Sequence, residues 1–287
     1  MKLVTFSRNG STHLGALSRR DGQEVVVDLN AAQPALPGDM IAFLEAGESA
    51  LAQAQATLAD GPAYPLADVR ILAPIQRPGK IICIGLNYRD HALETNSPIP
   101  DFPVVFAKYA NTVIGQGDAI VLPRVTEQVD YEAELGFVIG KRCRNVSEAE
   151  ALDYVAGYLP INDVSARDYQ TRTSQWTMGK TFDTFAPMGP ALTTADDVAD
   201  PHNLRISLTI GDEVLQDSST RELIFNIPQL VASLSEVMTL EPGDVVSTGT
   251  PPGVGAARTP KRWMRAGETV SVTIEGLGTL TNPIVAE

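Results

Sequence analysis

An α+β fold dominated by β structure is the class this 287-residue chain predicts. Short apolar runs of period two outnumber runs of helical period, and the two kinds do not alternate in the βαβ rhythm that builds a parallel sheet. Composition agrees: 44% hydrophobic and 20% charged residues belong to an ordinary globular chain, long enough for one large core or for a small domain joined to a larger one.

The elements follow in order from local chemistry. "KLVTF", "THLGALS" and "EVVVDL" read as short strands separated by turns. From about Asp39 to Leu58, "MIAFLEAGESALAQAQATL" is rich in the helix formers Ala, Leu, Glu and Gln, and "DGPAYP" stops it. The two prolines of "LAPIQRPGK" mark a linker, so a small N-terminal domain, residues 1–77, is expected to precede a larger one, 78–287. In the larger part "KIICIGLNY" and "VVFAK" are strands, and "GQGDAIVLP" is a turn and a strand. Ser147, with Glu150 three residues on in "SEAEALDYVAGY", has the form of a capping box and predicts a helix. "LRISLTIGDEVLQDSS" has the pattern of a hairpin around Gly211 and Asp212, "IPQLVASLSEVMTL" is an amphipathic helix stopped by "EPGD", and "ETVSVTIEGLGTLTNPIV" alternates like paired strands.

Charge narrows the partners. Lys and Arg number 22 against 35 Asp and Glu, a net charge of -13, with no dense basic run, which disfavours nucleic acid. Cys83 and Cys143 lie far apart without a CxxC spacing, so neither a disulfide framework nor a zinc knuckle is indicated. No apolar run is long enough to span a bilayer, and the N-terminal stretch has no apolar segment of signal-peptide length. No membrane partner is expected, and the default location is the cytoplasm.

Chemistry concentrates in five stretches. In "VDYEAELGFVIG" the alternation of a strand puts Asp130, Glu132 and Glu134 on one face and the apolar Tyr131, Ala133, Leu135, Phe137 and Ile139 on the other. Carboxylates two residues apart on a strand can lean toward one point, and converging anions raise one another's pKa unless a cation joins them; the alternative is an edge strand with a solvated acidic face. Asp163 follows the apolar run "YVAGYLPI" and is either a third oxygen ligand for a hard cation or a turn residue. His91 and Glu94, spaced i, i+3, would share a face of a helical turn, which lets a carboxylate orient an imidazole as a general base. Lys180 in "GKTFDTF" is not in a P-loop, since Ser174 stands where that pattern needs glycine; it is a point charge for a carboxylate or enolate, or a solvated turn lysine. The loop "STGTPPGVG" offers amides and threonines to an anionic ligand.

In their order, "NYxxHxxE", "DYExELxxVIG", "NDVSARDxQ", "GKxFDTFxPMGP" and "TGTPxGVG" resemble the motifs of the fumarylacetoacetate hydrolase family, over roughly Pro78 to the C-terminus. The resemblance implies a mixed β-sandwich roll, a small variable N-terminal α/β segment and a homodimer. It puts the family's metal ligands on Glu132, Glu134 and Asp163, holding Mg²⁺, with Mn²⁺ or Ca²⁺ as alternatives. The catalytic pair falls on His91 and Glu94, the substrate-stabilising groups on Arg167, Gln170 and Lys180, and the binding threonine on Thr250; Asp130 is not a ligand and is expected at the rim. The implied reaction is hydrolytic cleavage of a C–C bond in a small anionic 2,4-diketo acid, an acylpyruvate, fumarylpyruvate-like compound or diketo-deoxy sugar acid, through a metal-bound enolate. Decarboxylation of an oxaloacetate-type acid, or isomerisation of a 2-hydroxy-diene-dioate, is the alternative on the same scaffold. A cation-binding scaffold protein is the non-enzymatic one. The lid-like "RDHALETNSPIPDFP" is expected to close over the ligand, and the basic residues of "RTPKRWMRAG" are expected to form a solvated loop.

Overall fold

The computed structural model describes all 287 residues. The N-terminal part contributes β1 (Lys2–Arg8), β2 (Ser11–Arg20), β3 (Gln23–Asp28), α1 (Leu29–Ala32), α2 (Met40–Glu45), α3 (Gly47–Thr57), β4 (Ala63–Pro65) and β5 (Arg70–Leu72). Then come β6 (Ile81–Gly85), α4 (Arg89–Glu94), β7 (Val104–Lys108), β8 (Val113–Ile114), β9 (Ile120–Leu122), β10 (Val129–Asp130), β11 (Ala133–Ile139), β12 (Val155–Asn162) and β13 (Ser165–Ala166). The remainder is α5 (Arg167–Gln170), α6 (Thr177–Lys180), β14 (Ala186–Pro187), β15 (Leu192–Thr194), β16 (Arg205–Ile210), β17 (Glu213–Ser219), α7 (Ile227–Val237), β18 (Val245–Ser247), β19 (Thr269–Ile274) and β20 (Gly278–Ala286).

Strands dominate, as the sequence predicts, in a mixed arrangement of two main sheets. One has eleven strands in the order β4-β3-β2-β1-β15-β12-β11-β18-β6-β7, with β5 also on β1; the other has five, β17-β16-β19-β20-β9. The strands before Pro78 extend the larger sheet through the antiparallel pair β1 and β15. β11 lies in its middle and is buried at all seven positions. Leu135, Phe137 and Ile139 pack with Ile206, Leu208, Val270, Val272 and Ile274 of the smaller sheet and with Ile227, Leu230, Val231 and Leu234 of α7. Val138 instead joins Leu159, Ile161 and Val245 under Met40, Phe43 and Leu44 of α2 and Ala50 and Ala54 of α3. A strand covered on both faces reads as a continuous apolar run, and only its acidic end departs from that rule.

Two expectations change. The helical stretch from Asp39 to Leu58 is broken at Ala46 and Gly47, where Gly47 takes a positive φ of 66°, into two helices that fold over the sheet. Ser147 and Glu150 do hydrogen-bond, Oγ to Oε2 at 2.6 Å, but close a turn before a short 3-10 segment, Ala151–Tyr154. "VAGYLPIN" runs on as β12, because its apolar residues are needed beside β11 in the core. The Gly211 hairpin forms as expected between β16 and β17, and α7 begins with a capping box of Asn226 and Gln229.

Candidate active site

β11 and β12 pair antiparallel with Ala133 opposite Asn162, so the residues flanking that pair, Glu132, Glu134 and Asp163, come to one end of the sheet. The Asp163 amide donates to the Glu132 carbonyl at 2.9 Å, and the Glu132 amide donates to Asn162 Oδ1 at 3.0 Å, which fixes the junction. All three carboxylates are buried and offer oxygens within 4.8 Å of one another. Glu134 Oε2 accepts from Ser247 Oγ at 2.5 Å and from the Gly249 amide at 2.9 Å.

Three cations stand among these anions. Lys180 Nζ, at the end of α6, is 2.8 Å from both Glu132 Oε2 and Asp163 Oδ2. Arg167, at the start of α5, places Nη2 2.7 Å from Glu132 Oε1 and donates from Nε to Asp130 at 2.8 Å and from Nη1 to Gln170 Oε1 at 2.9 Å. Lys108 is a site residue that the sequence reading missed. Its ammonium donates to the carbonyls of Val164, Lys180 and Phe185 at 2.7–2.9 Å and lies 2.7 Å from Asp163 Oδ1. An ammonium has three protons, so the three carbonyls and Asp163 Oδ1 share them, and Asp163 Oδ1 is held beside a buried positive charge. The available signal was period two: Val104, Phe106 and Lys108 share the inward face of β7.

Charge does not balance in this cluster. Burial opposes ionisation of Glu132, but Lys180 and Arg167 hold its carboxyl well below the usual range. Burial also opposes the charge of Lys180, which Asp163 and Glu132 restore, so its ammonium stays protonated. Glu134 has no cation of its own; burial first, then the charges of Asp163 and Glu132, pushes its carboxyl well above the ordinary value. An all-oxygen donor set and a Glu134 without a cation of its own fit a hard divalent cation.

His91, whose charge is felt at Glu132, and Glu94 lie on the short helix α4, Nδ1 to Oε2 at 2.8 Å. Burial works against charge on Glu94, yet hydrogen bonds from His91 and from the Gly253 amide, 2.8 Å from Oε1, hold its carboxyl below the usual value. With Nδ1–H donated to Glu94, Nε2 of the neutral ring is the basic nitrogen. The helix is tied down rather than loose. Arg89 Nη1 donates to the Leu223 carbonyl at 2.7 Å, Ser218 Oγ donates to Asp90 Oδ2 at 2.6 Å, and the Asn87 amide donates to Phe225 and Thr248 carbonyls.

The glycine-rich loop differs most from expectation. Its amides at Gly249, Gly253 and Gly255 already donate to Glu134, Glu94 and Asp130. The Thr250 hydroxyl donates to the Ala133 carbonyl and accepts from Gln216 Nε2, both at 2.9 Å. Asp130, expected at the rim, is fully buried, because four donors converge on it from the loop, the chain and Arg167. In "RTPKRWMRAG", Arg258 and Arg262 are not solvated: Arg258 binds the Gly253 and Leu215 carbonyls, and Arg262 pairs with Glu268. An aromatic wall flanks Lys180, with the Phe106 ring centroid 4.9 Å from Nζ and Trp176 edge-on to Phe106 at 5.5 Å. The indole sits where a side chain on Gly85 would be.

Residues 80–285 match the family model of the fumarylacetoacetate (FAA) hydrolase C-terminal domain. The chain belongs to the fumarylacetoacetate hydrolase family. It is 47% identical to a mitochondrial oxaloacetate tautomerase of Xenopus laevis, over 99% of this chain and 90% of that one, and 45% identical to a human mitochondrial oxaloacetate tautomerase, over 99% and 92%. Among solved structures of the family it is similar to a 2-hydroxyhepta-2,4-diene-1,7-dioate isomerase from Mycobacterium marinum (34% identity, TM-score 0.80, covering 100% and 99%). It is likewise similar to a maleylpyruvate hydrolase from Sphingobium sp. SYK-6 in complex with manganese(II) and pyruvate (32%, TM-score 0.84, 100% and 99%). These relatives are enzymes acting on small molecules. The cytoplasmic expectation is overturned by the mitochondrial relatives. Lack of an apolar signal segment bears only on secretion, since mitochondrial targeting segments are amphipathic.

Proposed function

We propose that the protein is a divalent-cation-dependent enzyme that moves a proton between the keto and enol forms of a small 2-oxo dicarboxylate of the oxaloacetate type. The observation that carries this reading is near-full-length identity of 45–47% to oxaloacetate tautomerases, in a chain that keeps a hydrogen-bonded His–Glu pair and a buried acidic triad. Glu132, Glu134 and Asp163 would hold the cation, with Mg²⁺ as the resident ion; the manganese(II) in the related hydrolase supports an ion of this class. When bound, such an ion supplies Lewis-acid polarisation of a 2-oxo group.

The chain's own residues then have defined tasks. His91 Nε2 takes the proton from the carbon next to the 2-oxo group and, as the imidazolium, returns it to the enolate oxygen, which gives the enol and restores the base, while Glu94 keeps the ring in the tautomer that can accept it. Lys180, held protonated by its two carboxylates, steadies negative charge on the substrate oxygen and cannot compete as the base. Gln170 and Thr250 complete the wall around the substrate, and Arg167 holds Glu132 and Gln170 in place. Assembly as a homodimer is part of the proposal. β7 is the outer edge of the larger sheet and is flanked by exposed Phe102 and Tyr109, a surface that pairing would cover.

The initial expectation, C–C hydrolysis of a 2,4-diketo acid, stands second, supported by the similarity to the maleylpyruvate hydrolase. It needs the same base to activate water. One experiment separates them: purified protein with Mg²⁺ is given oxaloacetate enol and, separately, an acylpyruvate, each followed by ultraviolet absorbance. Fast loss of the enol with slow or no acylpyruvate cleavage is expected. Acylpyruvate turnover without acceleration of the enol's conversion returns the hydrolase to first place.

A further inference from the structure

Asp130 is the carboxylate of the acidic run that neither the triad nor the base uses, and it is fully buried. Its two oxygens are saturated. Oδ1 accepts from the Gly255 amide at 2.7 Å and from the Tyr131 amide at 2.9 Å; Oδ2 accepts from the Ala256 amide at 2.9 Å and from Arg167 Nε at 2.8 Å. The other end of the same guanidinium reaches Glu132 Oε1 at 2.7 Å. One planar fork therefore joins a carboxylate buried against the glycine loop to a carboxylate of the triad. A Cβ on Gly255 would stand 2.7 Å from Asp130 Oδ1 and 1.8 Å from the Arg262 carbonyl, so the loop can reach this carboxylate only with glycine there.

We propose that Asp130 is a positioning residue: through Arg167 it sets the orientation of Glu132, and so ties the glycine loop to the cation site. The inference rests on the reading that the triad holds a divalent cation. Arg167 between two carboxylates is held from both sides. Without the charge on Asp130 it is free to fold onto Glu132 and turn that carboxylate away from Glu134 and Asp163. Outer partners of this kind set ligand orientation, and their loss typically costs about 10–100-fold in metal affinity.

The test is titration of the purified full chain with Mn²⁺, read as loss of the free-ion paramagnetic resonance signal, for wild type, Asp130→Asn, Arg167→Gln and the double variant. Each single variant is expected to bind Mn²⁺ about 10-fold or more weakly. The double variant is expected to bind no more weakly than the worse single one, because the two act along one path. If wild type binds Mn²⁺ and Asp130→Asn binds equally well, with or without a lower melting temperature, Asp130 is structural only and the proposal is overturned. It is also overturned if the two losses multiply in the double variant. Failure of wild type to bind Mn²⁺ at all overturns the cation reading and this inference with it, which keeps the two failures apart. If Asp130→Asn does not fold, Arg167→Lys carries the same test, since it keeps a positive charge but cannot bridge two carboxylates with a planar fork. Unchanged Mn²⁺ affinity in that variant overturns the proposal, and a loss of about 10-fold or more supports it.

Discussion

The two halves of the site are built in opposite ways. Glu132, Glu134 and Asp163 hang from paired strands in the middle of the larger sheet, fully enclosed and enmeshed with Lys108, Lys180 and Arg167. His91 and Glu94 ride on a six-residue helix at the surface, partly open to solvent and tied down at separate points. Buried charges must be paired where they stand, so the triad half is bound up with folding itself. The helix half has few buried atoms to lose and can be changed with little effect on the fold. In the proposed reaction the geometry that would hold an ion comes from the sheet, and the group that would handle protons comes from a short surface helix held by side-chain hydrogen bonds.

Substitutions can break this contrast. The largest effect is expected for Lys180→Met, which strands Glu132 and Asp163 without their shared cation. Removing one partner of a buried ion pair costs about 3–5 kcal/mol, a loss that urea unfolding without added metal would register. A loss under about 1 kcal/mol, the scale of an exposed pair, would mean that the triad half is no more committed to folding than the helix half.

His91→Ala should show the reverse. A rate loss of about 10²–10⁴-fold is expected for removal of a general base, with the urea midpoint close to wild type. Retained turnover removes His91 from the mechanism. A drop in stability as large as that for Lys180→Met removes the contrast.

Ser218→Ala sharpens the comparison by loosening α4 without touching the reacting groups. It deletes the hydrogen bond to Asp90 and should cost about 1 kcal/mol or less in stability and up to about tenfold in kcat. Faster amide hydrogen exchange confined to α4 would locate the effect.

Acid should give the smallest change. Glu94 has its folded pKa below the unfolded value of about 4.3, so its bonds to His91 and Gly253 contribute fully above that value and are lost as pH falls through the folded pKa. Solvent screens this half-exposed group, so only a slight loosening is expected, visible as a weaker tie between α4 and the loop in spectra recorded below pH ~4. Loss of that tie at neutral pH would contradict the sign.

The sequence revealed what is periodic and local. Glu132 and Glu134 at i, i+2, the i, i+3 pair of His91 and Glu94, the Gly211 hairpin and the β-rich class all express short-range rules. Partners distant in the chain were not legible. Lys108 reads as the end of a strand, and only the fold brings it 2.7 Å from Asp163, 55 positions on. The glycine loop looked like a cradle for an anionic ligand. The anions it holds are the protein's own Glu94, Asp130 and Glu134, since amides and carboxylates complement each other whichever molecule supplies the charge. The break at Gly47 was missed because helix propensity summed over the window outweighed one glycine.

The seat of Trp176 has a consequence for how the wall beside Lys180 can change over evolutionary time. A methyl group on residue 85 would lie 2.3 Å from Cζ3 of the indole, closer than atoms can approach, so even alanine there forces the ring to shift. That shift would disturb the edge-on contact with Phe106, the ring beside Lys180, without altering a single charged group. Reshaping the aromatic wall beside Lys180 therefore needs one carbon atom at a strand terminus, while the charged groups behind it stay as they are.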